Sequence, residues 1–199
     1  AQARWCIISE GLLDSLHPQG SHSMGILIGS VEPTATVHHC LLAHNNGRNP
    51  LISARDGTAV VDWRNNVIYN YGRSSVGSVN GSNHVNYVNN FIRAGQNGRS
   101  PGTLRIDADA GQRYFVAGNV WPGAETDGTE AWRALSLRDT SPRDQLLAPG
   151  PFVTPPVGTQ SATDAYESVL RFAGATRPVR DVVDDRIVEE IRAGTGRVI

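Results

Sequence analysis

Along residues 1–123 the apolar positions come in short runs, and each run is entered through a cysteine or an asparagine. The runs are "RWCIISEG" (4–11), "VHHCLLAH" (37–44), "WRNNVIYN" (63–70), "YVNNFIRA" (87–94) and "VAGNVWPG" (116–123). Clusters of Asn, Gly, Ser and Pro separate them, and no apolar stripe at the helical period survives over this stretch. Val, Ile, Tyr, Phe and Trp supply the apolar positions, as a pleated surface prefers. The pattern predicts strands of three to six residues joined by turns of unequal length.

Aligned on Cys6, Cys40, Asn66, Asn90 and Asn119, the runs recur after 34, 26, 24 and 29 residues. Helical hairpins or propeller blades repeat at a nearly constant length. Stacked coils with short strands and variable turns do not, so the spacing predicts an all-β solenoid, a parallel β-helix. Equivalent positions of successive coils then stack at the ordinary strand spacing of about 4.8 Å. Asn66, Asn90 and Asn119 should form an inward ladder of side-chain amides, with Cys6 and Cys40 continuing the column. A hairpin-based β-sandwich wants two-residue turns and 8–12-residue spacing, and the longer repeat counts against it.

From about residue 124 the repeat stops. "PRDQLLAPGPFVTPPVG" is Pro-rich and is expected to run extended along the outside of the body. Two short helices follow: "TDAYESVLRFAGA", with Thr163 as N-cap and Gly174 near its end, and "DVVDDRIVEEIRAG", with Asp181 as N-cap and Gly194 as stop. Val183, Ile187 and Ile191 share one face at helical spacing. The organisation expected is 1–123 as coils and 124–199 as an extended segment and helical cap packed on them.

Composition changes this picture in three ways. All eighteen basic residues are arginines, which excludes any lysine-based mechanism and makes every permanent cation a planar guanidinium. Residues 1–123 carry nine arginines against seven acids, and 124–199 nine against twelve, so the coils are the part suited to an anionic partner. Cys6 and Cys40 are too few for a disulfide framework and lack metal-site spacing; buried thiols are expected, with a single bridge as the alternative. There is no transmembrane run and no signal-peptide pattern. The chain opens at Ala1 on a strand-like segment and reads as a fragment or processed product.

"CIISEGLLDSLHPQGSHSMGILIGS", followed by "VHHCLLAHNNGRNPLISA", resembles the bacterial pectate lyases of polysaccharide lyase family 1. The tail "AGATRPVRDVVDDRIVEEIRAGTGRVI" resembles the C-terminal segment of such proteins. The sharpest motif is Arg-x-Pro after a His-His strand, here Arg48-Asn49-Pro50. The resemblance implies a right-handed, single-stranded parallel β-helix, of which this chain is the C-terminal portion. It also implies secretion, or a periplasmic location, and calcium-assisted β-elimination of polygalacturonate. The expected partner is thus an acidic polysaccharide, with no nucleic acid or membrane partner, and the full-length protein is expected to be a monomer. An uncapped first coil is expected to make the isolated 199 residues associate.

β-Elimination removes the C5 proton, which lies α to the uronate carboxylate, and expels the C4 oxygen. A cation on the carboxylate stabilises the enolate-like charge as it develops, a task that suits a hard, oxygen-seeking calcium ion. In this family an arginine in the position of Arg48 is assigned as the base, although a free guanidinium holds its proton across the ordinary pH range; neighbouring cations and desolvation are what weaken that hold in such sites. Pro50 biases Asn49 toward an extended conformation, limiting where Arg48 can point.

Three departures from the family pattern stand out. The motif continues Arg-x-Pro-x-x-Arg, but Ser53 stands at the second arginine; Arg55 substitutes only if the loop shifts. Gln19 stands where members carry a substrate-binding lysine. The family's calcium carboxylates belong to coils that would precede Ala1, so no metal ligand is assigned in this chain. Gln19, His22, His44 and Arg55 are the candidate substrate contacts. Glu10 and Asp14 read as solvated carboxylates beside the groove, and Asp107 and Asp109 fall short of a calcium loop. His38 and His39 read as one inward and one outward residue of a strand. Against the lyase reading stands a non-catalytic, carbohydrate-binding or degenerate β-helix, favoured by Gln19 and Ser53; an adhesive solenoid explains the repeat but not the Arg48 turn.

Overall fold

The computed structural model describes residues 1–18, 20–22, 24–29, 34–53, 59–72, 75–97, 103–106, 111–121, 124–125, 131–137 and 143–199. Among these residues the chain is a parallel β-helix. The first sheet contains Gln2–Arg4, Thr34–His38, Ala59–Arg64, Asn83–Val88 and Arg113–Ala117. The second contains Ile7–Ser9, Leu41–Ala43, Val67–Tyr69, Phe91–Arg93 and Val120–Trp121, with Ala124–Glu125 added antiparallel at its end. The third contains Leu27–Ile28, Leu51–Ser53, Ser75–Asn80, Thr103–Ile106 and Leu135–Leu137. Each coil visits the three sheets in that order, which gives the expected parallel stack.

Three in-register rows fill the interior. Val37, Trp63, Tyr87 and Val116 are partners across the first sheet. Ile8, Leu42, Ile68 and Ile92 are partners across the second. Ile28, Ile52, Val79 and Ile106 line the third. Apart from Ile8, which is partly buried, all belong to one buried core, and each fully buried side chain of this size contributes about 1.5–3 kcal/mol.

Between the first and second sheets the chain turns in two residues: Trp5-Cys6, His39-Cys40, Asn65-Asn66, Asn89-Asn90 and Gly118-Asn119. The second member of each pair forms the inward column. Asn90 Oδ1 accepts from the Asn66 backbone N–H at 3.0 Å, and Asn119 Oδ1 accepts from that of Asn90 at 2.9 Å. The amide nitrogens reach carbonyls of the preceding coil: Asn66 to Val37, Asn90 to Trp63 and Asn119 to Tyr87. The ladder therefore satisfies backbone groups that a tight buried corner would leave orphaned. At Cys40 the backbone N–H still donates to Asn66 Oδ1, while the thiol bonds locally to the His38 carbonyl. Both thiols are free, which settles the choice against a bridge, and burial pushes that of Cys40 up to about 12.

The first member of each pair is left-handed, with φ between 51° and 64°. Gly118, Asn65, Asn89 and His39 are among the residue types that enter that region most readily; the bulky Trp5 is not, and is strained there. At Gly118 a Cβ would also collide with Asn89 Oδ1.

The tail wraps this body. After one short helical turn, α1 (Arg143–Leu146), the extended stretch lies across the first sheet: Asn86 Nδ2 donates to the Phe152 carbonyl, the Phe152 N–H donates to Asn86 Oδ1, and His84 stacks on Phe152. Arg64 donates to Thr159, and Gln160 is pinned to Asn65 and Asn89. Helices α2 (Ala162–Phe172) and α3 (Val182–Ala193) pack Val169, Leu170, Ile187, Val188 and Ile191 onto Leu41, Ala43, Val67 and Tyr69 of the second sheet.

Two details differ from the sequence reading. The N-cap of α2 is Ser161, not Thr163: its hydroxyl accepts from the Asp164 N–H and donates to the Asp164 carboxylate, a reciprocal cap that places Thr163 in the first turn. On α3, Asp181 caps and Gly194 closes as expected, but Val183 faces solvent and Val188 joins Ile187 and Ile191 in the packed face. Among the described residues no helix is long and apolar enough to cross a membrane.

Candidate functional site

Two of the three outer faces are covered by the chain itself: the first sheet by the extended stretch, the second by α2 and α3. The outer row of the third sheet runs Leu27, Leu51, Ser78, Arg105, Ser136 across neighbouring strands. Leu27, Arg105 and Ser136 are exposed, and Leu51, Ser53 and Asn80 are half-buried. Among the described residues, neither the extended stretch nor α2 and α3 lie across this face.

Arg48 stands at its edge, on the corner between Leu41–Ala43 and Leu51–Ser53. The corner is fixed through its backbone. The Gly25 N–H donates to the Gly47 carbonyl at 2.9 Å, the Ile26 N–H to that of Arg48 at 2.8 Å, and the Leu51 N–H to that of Ile26 at 2.9 Å. Asn45 and Asn49, both buried, complete the brace. Asn45 Nδ2 donates to the Ile8 carbonyl and to Asn49 Oδ1, Asn45 Oδ1 accepts from the Gly11 N–H, and Asn49 Nδ2 donates back to the Asn45 carbonyl. Below the corner a Cβ on Gly77 would collide with the Pro50 carbonyl, so glycine is what lets Pro50 settle on the third sheet. Arg48 itself is left-handed at φ 57°, strained for a non-glycine residue. Its half-buried guanidinium makes no hydrogen bond or ion pair with the described residues. The backbone around Arg48 is thus locked while its charge is unspent.

The other candidates scatter. His22 is half-buried in the loop before Leu27–Ile28 and stacks on His17, ring centroids 4.0 Å apart. Gln19 and Arg55 lie outside the described residues, as do Asp107 and Asp109. His44 is completely buried, and this corrects its assignment to the groove. Its Nδ1 accepts from Asn70 at 2.9 Å, its Nε2 faces Glu190 Oε2 of α3 at 3.1 Å, and burial lowers its pKa. A helix some 140 residues downstream encloses it, and no local pattern around "LLAHNN" announces that contact.

Glu10 is bound by Arg186 and Asp14 accepts from Ser21, so neither stands as an open ligand. Among the described residues no group of three or more His, Cys, Asp or Glu is placed to hold a metal ion. Calcium takes six to eight oxygen ligands, and these residues do not fit it.

No protein-family model matches the chain. Its fold is that of a parallel β-helix, and its sequence is similar to fungal proteins named probable pectate lyase C. The identity is 28% over 189 residues with that of Aspergillus flavus, 27% over 186 with that of Aspergillus oryzae, and 26% over 194 with that of Aspergillus terreus. These matches cover 90%, 90% and 94% of this chain and 42% of each relative. The chain therefore spans about two fifths of the length of the curated relatives it matches.

Proposed function

We propose that the protein is a pectate-lyase-like polysaccharide lyase, secreted or periplasmic, that cleaves polygalacturonate by β-elimination. The observation that carries this reading is the Arg48 corner: a strained, braced backbone presenting a guanidinium that none of the described residues pairs, at the edge of a face that the extended stretch, α2 and α3 do not cover. The similarity to proteins named probable pectate lyase C supports it. In the reaction Arg48 takes the C5 proton, the C5–H electrons form the C4–C5 double bond, and the C4–O bond breaks. The departing sugar oxygen takes a proton from water. His22 is proposed as a sugar contact, with Gln19 and Arg55 as further contacts.

A second reading has its own support. Ser53 replaces the motif's second arginine, and no carboxylate cluster is assembled among the described residues. A carbohydrate-binding β-helix without turnover fits both facts.

The test uses the protein that carries these residues at its natural length, incubated with polygalacturonate while the ultraviolet absorbance of the unsaturated product is followed. The expected result is product formation that Arg48→Lys lowers by about 10²–10⁴, the usual worth of a general base, with the fold unchanged by circular dichroism. Near-normal turnover in Arg48→Lys overturns Arg48 as base. Polygalacturonate binding without any product in the unaltered protein selects the second reading.

A further inference from the structure

We infer that Arg186 of α3 is a positioning residue for Arg48, acting through Glu10 and Glu190 on the corner that carries it; this rests on the proposed function above. Two stacked exits from the second sheet carry the inference. Glu10 follows Ile7–Ser9 and His44 follows Leu41–Ala43, and both are left-handed, at φ 54° and 57°. A non-glycine residue persists in that region only where its surroundings over-determine it, and glutamate is not among the types that favour it. Here a helix near the other end of the sequence supplies the restraint. Arg186 Nη1 and Nη2 donate to Glu10 Oε1 and Oε2 at 2.9 and 2.7 Å, and Nη1 also donates to Glu190 Oε1 at 3.0 Å. Glu190 Oε2 in turn stands 3.1 Å from His44 Nε2, close but off the line of a hydrogen bond. One guanidinium thus holds both exits, the first directly and the second through Glu190.

The grip reaches Arg48 through the backbone. Gly11, next to Glu10, donates its N–H to Asn45 Oδ1 at 3.0 Å, and Asn45 is the neighbour of His44. The two held exits therefore end one residue from the two partners of a single hydrogen bond. Asn45 Nδ2 donates to Asn49 Oδ1, and Asn49 Nδ2 donates back to the Asn45 carbonyl, with Arg48 in the loop that this exchange closes. A fork-on-carboxylate pair such as Arg186–Glu10 fixes orientation as well as distance. Its loss lets the left-handed exit relax and carries Asn45, Asn49 and the corner with it. A base must sit within reach of its proton, so a displacement of about 1 Å is enough to cost roughly 10²-fold in rate. Arg186 does this from α3, which packs on the second sheet and not on the face that Arg48 borders.

The experiment measures kcat and KM on polygalacturonate, with the protein at its natural length and below every thermal midpoint. The variants are Arg186→Gln, Arg186→Lys, Glu10→Gln, the Arg186→Gln/Glu10→Gln double variant and Ile187→Val. Ile187 is buried on the packed face of α3, so its shortening loosens the helix without touching the ion pairs and separates positioning from stability. The expected result is a kcat lowered about ten- to a hundredfold in Arg186→Gln, with KM changed by less than about threefold. Arg186→Lys should recover part of the loss. Glu10→Gln cuts the same pair from the coil side, which keeps the test decisive if Arg186→Gln fails to fold, and should lose as much. The double variant should lose no more than either single one, as groups that act as a unit do. Ile187→Val should melt lower yet turn over normally. Normal kcat in Glu10→Gln or in a folded Arg186→Gln, additive losses in the double variant, or an equal loss in Ile187→Val overturns the inference and leaves the proposed function standing. Absence of product from the unaltered protein overturns both.

Discussion

His38 Nδ1 lies 2.8 Å from His39 Nδ1, with the two rings nearly perpendicular at 87°. One of these nitrogens must donate and the other accept, and their further partners decide which. Gln2 Nε2 can only donate to His38 Nε2, at 3.1 Å. The His38 proton is therefore on Nδ1 and is given to His39, whose own N–H at Nε2 is given to Gln160 Oε1 at 2.9 Å. Gln160 Nε2 passes the direction on to Ser168 Oγ of α2 at 2.9 Å. Five residues from the first coil to the tail thus form one chain of donors, and it exists only while both imidazoles are neutral.

Acid should weaken it. Burial, with His39, Arg4 and Arg64 nearby, lowers the His38 pKa from 6.5 to about 4, although Asp62 opposes the shift; burial lowers that of His39 as well. Between these values the unfolded chain binds more protons than the folded one. The stability is therefore complete above about pH 6.5 and is lost as pH falls toward about 4. The thermal midpoint should fall by at least about 3 °C from pH 7 to pH 5. His39→Asn removes a titrating group and places at φ 53° the residue that Asn65 and Asn89 already use there. Its midpoint should vary less over the same range; an equally steep profile would discount the histidine chain.

Asn90→Ala should cost about 3–5 kcal/mol, measured by urea unfolding. The change strands the Asn66 N–H and takes the Asn90 Nδ2 donor from the Trp63 carbonyl, both at buried positions, while the backbone N–H at position 90 still donates to Asn119 Oδ1. A loss below about 1 kcal/mol would mean that water reaches the corner and repairs it.

Gly77→Ala tests whether the sheet beneath Pro50 sets the Arg48 corner. The added methyl meets the Pro50 carbonyl, an overpacking worth about 1–3 kcal/mol. Gly150→Ala, whose Cβ enters open space, should be neutral. Polygalacturonate binding should drop in Gly77→Ala beyond what its unfolded fraction accounts for. Unchanged binding in a destabilised Gly77→Ala protein would detach the corner from the ligand face.

The fold was legible because its periodic part is local. A Cys or Asn before each apolar run marks the inward column, and the alternation within each run marks what enters the core. The sequence offers Pro50 as the constraint on Arg48, whereas the structure adds Asn45 and Asn49 across the loop and Gly77 from the next coil. That contact joins residues more than 25 positions apart, and spacing alone does not encode it. His44 was misplaced for the same reason: an imidazole beside a turn looks accessible until a distant helix closes over it. Trp5 at a left-handed position runs against residue preference, so only the alignment with Asn65, Asn89 and Gly118 reveals it.

The two-residue corners also divide the molecule into a spine and a margin. Along the spine every coil turns in the same two residues, so one inserted residue there would throw the asparagine column out of step for all coils beyond it. On the margin, the connections between the second and third sheets span 10–26, 44–50, 70–74 and 94–102, unequal in length yet feeding strands that stay in register. Lengthening one of these connections reshapes the rim of the open face without asking the stack to move. Such a solenoid can acquire a new ligand preference one loop at a time, while the spine that keeps its coils in step goes unedited.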